Sequence, residues 1–407
     1  MDEFLPGAVV ELRAEYVRFL ERHILPAVAD CEREGRFPRE QIRAVGEAGW
    51  FGALFPESLG GSDLGFLVAA VLAEEMARLD PALSLCQNQQ AGTCPYTVLV
   101  GGTDAQCERY IPPLLAGSAI GMWSLTEAGG GSDAAGNLRT RARRDGDVYR
   151  ISGRKMFATL GDQTDTGVLF ARTGPEQDHR GISAFMVEPA GVPGWRAEPI
   201  DMVGMPRSMR SCELVLDDFP VPVAQRIGAQ GEGFRIAMHA VQAGRVNVAA
   251  RAVGIARACL EEAIAYASER SVRGTPLARY QLTQGAIAEA LVQVEAARLM
   301  TYQAATLMDA ERPANRVAAQ AKLAASYALR QAAGVAAELF GGYAIAAEYR
   351  IARLSAFAHV FLVGEGAPAV QKVLIAEHAF GIKDADRHRV RYRHPRDGHH
   401  GGGQEAS

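Results

Sequence analysis

The chain has 407 residues, with 43 lysines and arginines against 47 aspartates and glutamates, for a net charge of -4. Its apolar share of 48% is too high for a disordered chain, and its slight acidity argues against a nucleic-acid-binding surface. At roughly 150 residues per domain the length predicts two or three domains, each with room for a core.

The start, Met1-Asp2-Glu3-Phe4, is acidic and shows no targeting pattern. The longest apolar run, about Gly65 to Ala73, falls short of the ~20 residues of a membrane span. Cys31, Cys86, Cys94, Cys107, Cys212 and Cys259 are scattered and form no CxxC pair. That spacing predicts reduced thiols and a cytoplasmic location. The nine histidines lack metal spacing, so no metal is expected.

Residues 1–118 read as a helical domain. Leu12, Tyr16, Leu20 and Ile24 recur every four residues, which is one helix face. Pro26 is placed to kink that helix and Gly35 to end it. Phe66 to Leu79 is a second amphipathic helix, with Glu74, Glu75 and Arg78 assigned to its polar side. Residues 119–230 change texture. Arg139 to Arg144 and Asp147 to Ser152 read as strands joined by a tight turn at Asp145-Gly146. Val168 to Arg172, Ile182 to Val187 and Cys212 to Leu216 are further strands of a β domain. Residues 231–383 return to long helices. Val246, Ala249, Val253, Ala256, Leu260, Ile264 and Ala267 step by three or four, and Ala286 to Met308 and Asn315 to Leu339 repeat the pattern. Their alanine-rich faces predict a four-helix bundle. Residues 384–407 hold five arginines, four histidines and almost no apolar side chains, and read as a tail. The fold class is therefore α+β and multidomain, with helical, β and helical domains in that order.

Trp123-Ser124-Leu125-Thr126-Glu127-Ala128-Gly129-Gly130-Gly131-Ser132-Asp133 is the most informative stretch. Its glycines expose backbone amides, and Thr126 and Ser132 add hydroxyls. Taken alone, it reads equally well as a flexible loop. No GxGxxG joins a strand to a helix here, so it is not a dinucleotide fingerprint.

The segment resembles the flavin-binding signature of the acyl-CoA dehydrogenase family, and the resemblance continues in order along nearly the whole chain. Gly49-Trp50-Phe51-Gly52 and Pro56-Glu57 with Gly60-Gly61 precede it. Gly153-Arg154-Lys155-Met156-Phe157-Ala158-Thr159, Arg270 with Gly274 and Gln281, Gly341-Gly342, Gly364-Glu365-Gly366 and Gln371 follow it. The resemblance implies an FAD-dependent acyl-thioester dehydrogenase. Trp123, Leu125, Thr126, Gly131, Ser132, Phe157 and Thr159 would then lie along the flavin. Arg270, Gln281, Glu338, Gly341, Gly342 and Ala367 would complete the FAD site, with Glu338 to Gly342 serving a neighbouring subunit's cofactor. Ser132, Gln242, Arg245, Gly364 and Gly366 would contact the substrate. Glu365 would be the base that removes the α-proton, its backbone N–H helping to polarise the thioester carbonyl. The implied partners are an acyl thioester, an electron-transfer flavoprotein and further copies of the chain, as a dimer or tetramer. No nucleic acid or membrane is implied.

The residues themselves also argue for Glu365. It follows the apolar run Val360-Phe361-Leu362-Val363 between two glycines. Such a site raises a carboxylate above its free value of ~4.3, which suits a general base. A helix-cap carboxylate is the alternative, as a solvated helix-end charge is for Arg270 and a buried strand aromatic for Phe157. Departures from the family pattern are Ala128, Phe157, Arg273, Glu338, Ala356-Phe357 and Ala367. They imply a divergent branch, whose substrate is either an acyl-CoA or, in secondary metabolism, a carrier-tethered acyl group. Rival functions are an acyl-CoA oxidase or flavin monooxygenase on the same fold, and a binding protein that has lost FAD.

Overall fold

A computed structural model describes residues 4–176 and 178–382. The tail expected at Asp384 to Ser407 lies outside the described residues. The first domain holds α1 (Gly7–Phe19), a π-helical turn at Leu20–Ile24, and α2 (Leu25–Glu34). Pro26 stands in the first turn of α2, and Gly35 ends that helix in the left-handed conformation. The face of Tyr16, Leu20 and Ile24 is buried, as its period predicts. Then come α3 (Arg39–Glu47), α4 (Gly65–Leu79), α5 (Pro81–Ala91), α6 (Thr93–Gly101) and α7 (Asp104–Leu115). Helix α5 starts on Pro81, with the Asp80 carboxylate accepting from the Leu83 N–H at 2.8 Å. All of its residues are buried, although it carries Ser84, Gln87, Asn88, Gln89 and Gln90. Gln90 meets that cost by donating to the Leu114 and Ala119 carbonyls and accepting from the Gly121 N–H.

The middle region holds β1 (Gly121–Ser124), the short α8 (Ala134–Asn137), β2 (Arg141–Asp145), β3 (Val148–Thr159), β4 (Thr166–Arg172), β5 (Ile182–Val187), β6 (Trp195–Pro199), β7 (Ser211–Pro222) and β8 (Arg226–Ile227). They form one sheet in the order β6-β7-β3-β2-β4-β5-β8, with β1 parallel to β4. The expected β2–β3 hairpin turns at Asp145-Gly146, pairing Asp145 with Val148. Alternate residues such as Tyr149, Leu169, Phe185, Leu214 and Phe219 build the core of this domain.

The last region begins with α9 (Gly233–Glu269), followed by a small hairpin of β9 (Ser271–Val272) and β10 (Thr275–Pro276). Then come α10 (Gln281–Asp309), α11 (Asn315–Phe340), α12 (Arg350–Val363) and α13 (Pro368–Phe380). Helix α9 packs against α10, α11 and α12 and against α4 of the first domain, so it joins the two helical regions. Among the described residues no helix is long and apolar enough to cross a membrane.

One expectation fails. Glu74 and Glu75 do not lie on a solvated face of α4 but are buried where α4 meets α9 and α10. Arg257 bonds both carboxylates, Arg78 bonds Glu75 at 2.6 Å, and the Tyr302 hydroxyl donates to Glu74 at 2.7 Å. Burial would push Glu75 up, but Arg257 and Arg78 hold it below the usual carboxylate range.

Candidate active site

Glu365 sits in the loop between α12 and α13, with φ of +50°. The left-handed region is costly for a residue with a Cβ. Its side chain turns back onto α9. There a Cβ on Gly244 would come within 2.2 Å of Glu365 Oε2, so any other residue would displace this carboxylate from its place. Oε1 accepts from Asn88 Nδ2 at 2.9 Å, whereas Oε2 is buried without a hydrogen-bond partner. Removal from water pushes the carboxyl above its ordinary range. Arg251, the Asn88 bond, Lys322 and Arg245 oppose that shift without cancelling it. Glu365 is not a helix cap. The N-cap of α13 is Ala367, no side chain caps that helix, and Pro368 opens it.

The loop is held from beneath by Lys322 of α11, which is fully buried. Its Nζ donates to the Leu362 carbonyl at 3.0 Å and the Gly366 carbonyl at 2.8 Å. Gln371 Nε2 donates to the same Gly366 carbonyl at 3.1 Å, and Ser326 Oγ to the Phe361 carbonyl at 2.9 Å. Burial pushes Lys322 down to about 8, against the pull of Glu365. Carbonyls at the C-terminal end of α12 thus gain donors that the helix itself cannot supply.

The glycine-rich loop follows β1. Trp123 is half-buried and donates from Nε1 to Thr97 Oγ1 at 3.0 Å. Leu125 is buried, Thr126 and Thr159 are half-buried, and Gly131 and Ser132 are exposed. The loop is tied to β3 by Lys155, whose Nζ donates to Glu127 Oε1 at 2.8 Å and to the Leu125 carbonyl at 3.2 Å. The Met156 N–H donates to the Thr126 carbonyl at 2.9 Å. Phe157 stands next in the strand, at the register shift between Lys155 and Ala158. Its φ is +57° and the residue is 53% exposed, so the alternative of a buried strand aromatic does not hold. An outward aromatic ring beside open glycine backbone and two hydroxyls fits a planar cofactor that carries phosphates.

Arg270, at the C-cap of α9, lines a separate cavity of about 610 Å³ with Glu338, Gly341 and Gly342. Gln281 opens α10 as an exposed residue and does not line it. No residue of the Glu365 loop or the glycine-rich loop lines this cavity either. Among the described residues no ion pair joins Arg273 to Glu338, so the two departures do not neutralise each other by contact. Gln242 and Arg245 are buried in α9, with Arg245 close enough to act on Glu365, and Gly364 and Gly366 flank Glu365.

Sequence reasoning did not find Asn88, Arg251 or Lys322, and it placed Gly244 near the thioester arm without its contact to Glu365. Two of them left a readable signal. Arg251 shares an α9 face with Val248 and Ile255, and Lys322 shares an α11 face with Ala318, Ala325 and Leu329. A cation on an otherwise apolar stripe is out of place unless it has work there.

Three family models cover the chain. The acyl-CoA dehydrogenase N-terminal domain matches residues 9–118, the middle domain 123–219 and the C-terminal domain 231–380. The chain belongs to the acyl-CoA dehydrogenase family. It is 34% identical to a glutaryl-CoA dehydrogenase of Desulfococcus multivorans, over 95% of this chain and 100% of that one. It is also 34% identical to the caffeyl-CoA reductase-Etf complex subunit CarC of Acetobacterium woodii, over 88% of this chain and 94% of that one. A glutaryl-coenzyme A dehydrogenase solved in complex with glutaryl-CoA superposes with a TM-score of 0.90, at 34% identity, over 95% of this chain and 98% of that one. The protein is an oxidoreductase of this family, with its helical, β and helical architecture.

Proposed function

We propose that the enzyme carries out FAD-dependent α,β-dehydrogenation of an acyl thioester, with Glu365 as the base. The observation that carries this reading is the Glu365 carboxylate itself: buried over Gly244, with Oε2 free to receive a proton. The thioester carbonyl makes the adjacent α-carbon acidic, and Glu365 takes its proton. Among the described residues the Glu365 backbone N–H makes no backbone hydrogen bond, and it is available to the thioester oxygen as the carbon loses its proton. Asn88 and Lys322 hold the base and its loop in place. FAD, when bound, supplies the two-electron oxidation by accepting the β-hydride. Trp123, Leu125, Thr126, Gly131, Ser132, Phe157 and Thr159 would hold its flavin end. Arg270, Gln281, Glu338, Gly341, Gly342 and Ala367 are assigned to the rest of the FAD site. Ser132, Gln242, Arg245, Gly364 and Gly366 are assigned to the substrate.

The cavity at Arg270 shares no lining residue with the glycine-rich loop, which supports a cofactor site completed by a second copy of the chain. Exposed Leu282, Val292 and Leu299 on α10, and Val373 and Phe380 on α13, support a homo-oligomer. An electron-transfer flavoprotein is the acceptor this reading calls for, and one relative is named as the subunit of an Etf complex. The six cysteines are free and buried, in keeping with a reducing cytoplasm.

The test is anaerobic addition of a panel of acyl thioesters to FAD-loaded protein. Bleaching of the flavin absorbance, with an α,β-unsaturated product, is expected. A loaded flavin that no thioester bleaches would refute the reading.

A further inference from the structure

Arg251, on α9, is only 4% exposed and among the described residues makes a single hydrogen bond, from Nη1 to the Ser84 carbonyl of α5 at 3.0 Å. Its guanidinium lies 5.0 Å from the centre of the Phe361 ring on α12, and its Nε is buried without a partner. A guanidinium offers five N–H donors, so most of this one is unused. Ser84 lies one turn from Asn88, which holds Glu365. Asn247, one turn before Arg251, donates from Nδ2 to Gln87 of the same α5 at 3.4 Å. Asn88 Oδ1, Asn247 Oδ1 and Glu365 Oε2 are also buried and unpartnered. Four orphaned polar atoms thus converge where α5, α9 and the Glu365 loop meet. Each costs about 1–3 kcal/mol when left dry, and native interiors tolerate few of them.

The charges are unbalanced in the same sense. Arg251 and Lys322 both act on Glu365, and among the described residues Glu365 is the one carboxylate that acts on either of them. Lys322 is engaged by two loop carbonyls. Burial pushes Arg251 down to about 10, the reverse of the upward shift that paired Arg257 shows.

From this geometry we infer that Arg251 receives a carboxylate at the far end of the acyl group, so that the substrate is the thioester of a dicarboxylic acid. This inference rests on the dehydrogenase reading. A carboxylate can accept two parallel N–H bonds from the guanidinium and supplies the missing negative charge. A methyl-ended chain would instead leave the cation desolvated, with no negative charge but the Glu365 carboxylate that it shares with Lys322. Water carried in with the carboxylate can serve the two asparagine oxygens.

The experiment uses FAD-loaded enzyme and three CoA thioesters of matched chain length, ending in methyl, hydroxyl or carboxylate. Binding is measured by calorimetry, and flavin bleaching is measured alongside. Wild type is expected to bind the carboxylate-ended thioester at least about tenfold more tightly than the others. That preference should vanish in Arg251→Met and survive in part in Arg251→Lys. Equal or tighter binding of the methyl- or hydroxyl-ended thioester overturns the inference. So does a preference that survives Arg251→Met, or an Arg251→Met enzyme whose pH profile moves while its preference does not. If Arg251→Met does not fold, the wild-type ranking and the Arg251→Lys variant decide. Carboxylate-selective binding with no bleaching would instead sink dehydrogenation and leave this inference standing.

Discussion

Glu127 and Glu365 are both carboxylates taken out of water beside a buried cation, yet they shift in opposite directions. Burial would raise Glu127, but Lys155 and its other donors hold it below the usual carboxylate range. Its oxygens accept from Lys155 Nζ and from the backbone N–H groups of Arg139 and Thr140, at 2.6–3.0 Å. Glu365 accepts one bond, keeps Oε2 unpaired, and rises. Three strong donors fix a buried carboxylate as an ionised strut. A single donor leaves it able to gain and lose a proton, as a base must. The same contrast separates the cations: Lys155 donates to a carboxylate and a carbonyl, while among the described residues Arg251 donates only to the Ser84 carbonyl.

The most direct way to break the comparison is to neutralise the carboxylate assigned to chemistry. Glu365→Gln should lower kcat by about 10²–10⁴-fold, the usual share of a general base, while FAD content stays unchanged. Wild-type kcat/KM should rise with pH through an ionisation above the ~4.3 of a free glutamate. The reactive form is the carboxylate, and burial delays its appearance as pH rises. A pH–rate profile already flat above the ordinary carboxylate range would contradict this role.

Next in size is the strut. Lys155→Met strands the Glu127 charge in a buried site. Removing one partner of such a pair costs about 3–5 kcal/mol, to be measured by urea unfolding. Replacing both, as Lys155→Met with Glu127→Gln, should cost less than the single change. A single variant as stable as wild type would mean that the glycine-rich loop does not depend on this pair.

Much of this arrangement was legible in the chain. The four-residue step from Leu12 to Ile24, the Asp145-Gly146 turn and the long alanine-rich helices report local geometry, and each formed as read. Glu365 was legible because two glycines and an apolar run isolate it. The errors came where partners are remote. Glu74 and Glu75 look like solvated charges until Arg257 and Tyr302, 182 to 228 residues further on, fold against them. Asn88 meets Glu365 across 277 residues, and Lys322 reaches the loop carbonyls across 40 and 44. Periodicity says which face is buried but not which distant side chain waits there, so polar residues buried by long-range pairing were missed.

A smaller change probes position rather than charge. Gly244→Ala should favour helix α9 by about 0.8–1 kcal/mol on propensity alone, yet its Cβ would meet Glu365 Oε2 at 2.2 Å. The carboxylate must then move, and a shift of about 1 Å at the reacting group can cost ~10²-fold in rate. Lower kcat in a protein of unchanged or higher melting temperature is expected. Full activity would show that the carboxylate can work from another place.

The smallest effect is expected at the cavity farther along α9. Arg270 is exposed at the helix end and lines the same cavity as Glu338. It therefore lacks the desolvation that makes Lys155 and Arg251 sensitive, and its removal should leave folding almost untouched. Its assigned role is a charge-assisted bond to a cofactor phosphate. A bond to a charged group typically contributes about 1.5–3 kcal/mol, or roughly ten- to a hundredfold in affinity. Arg270→Ala should weaken FAD retention by that factor, read as free FAD released on dilution and gel filtration. Glu338→Gln should act in the opposite sense, because it removes a negative charge from the cavity assigned to the pyrophosphate. If both variants hold FAD as wild type does, the cavity is not a cofactor site, and Arg270 is a solvated charge at a helix end.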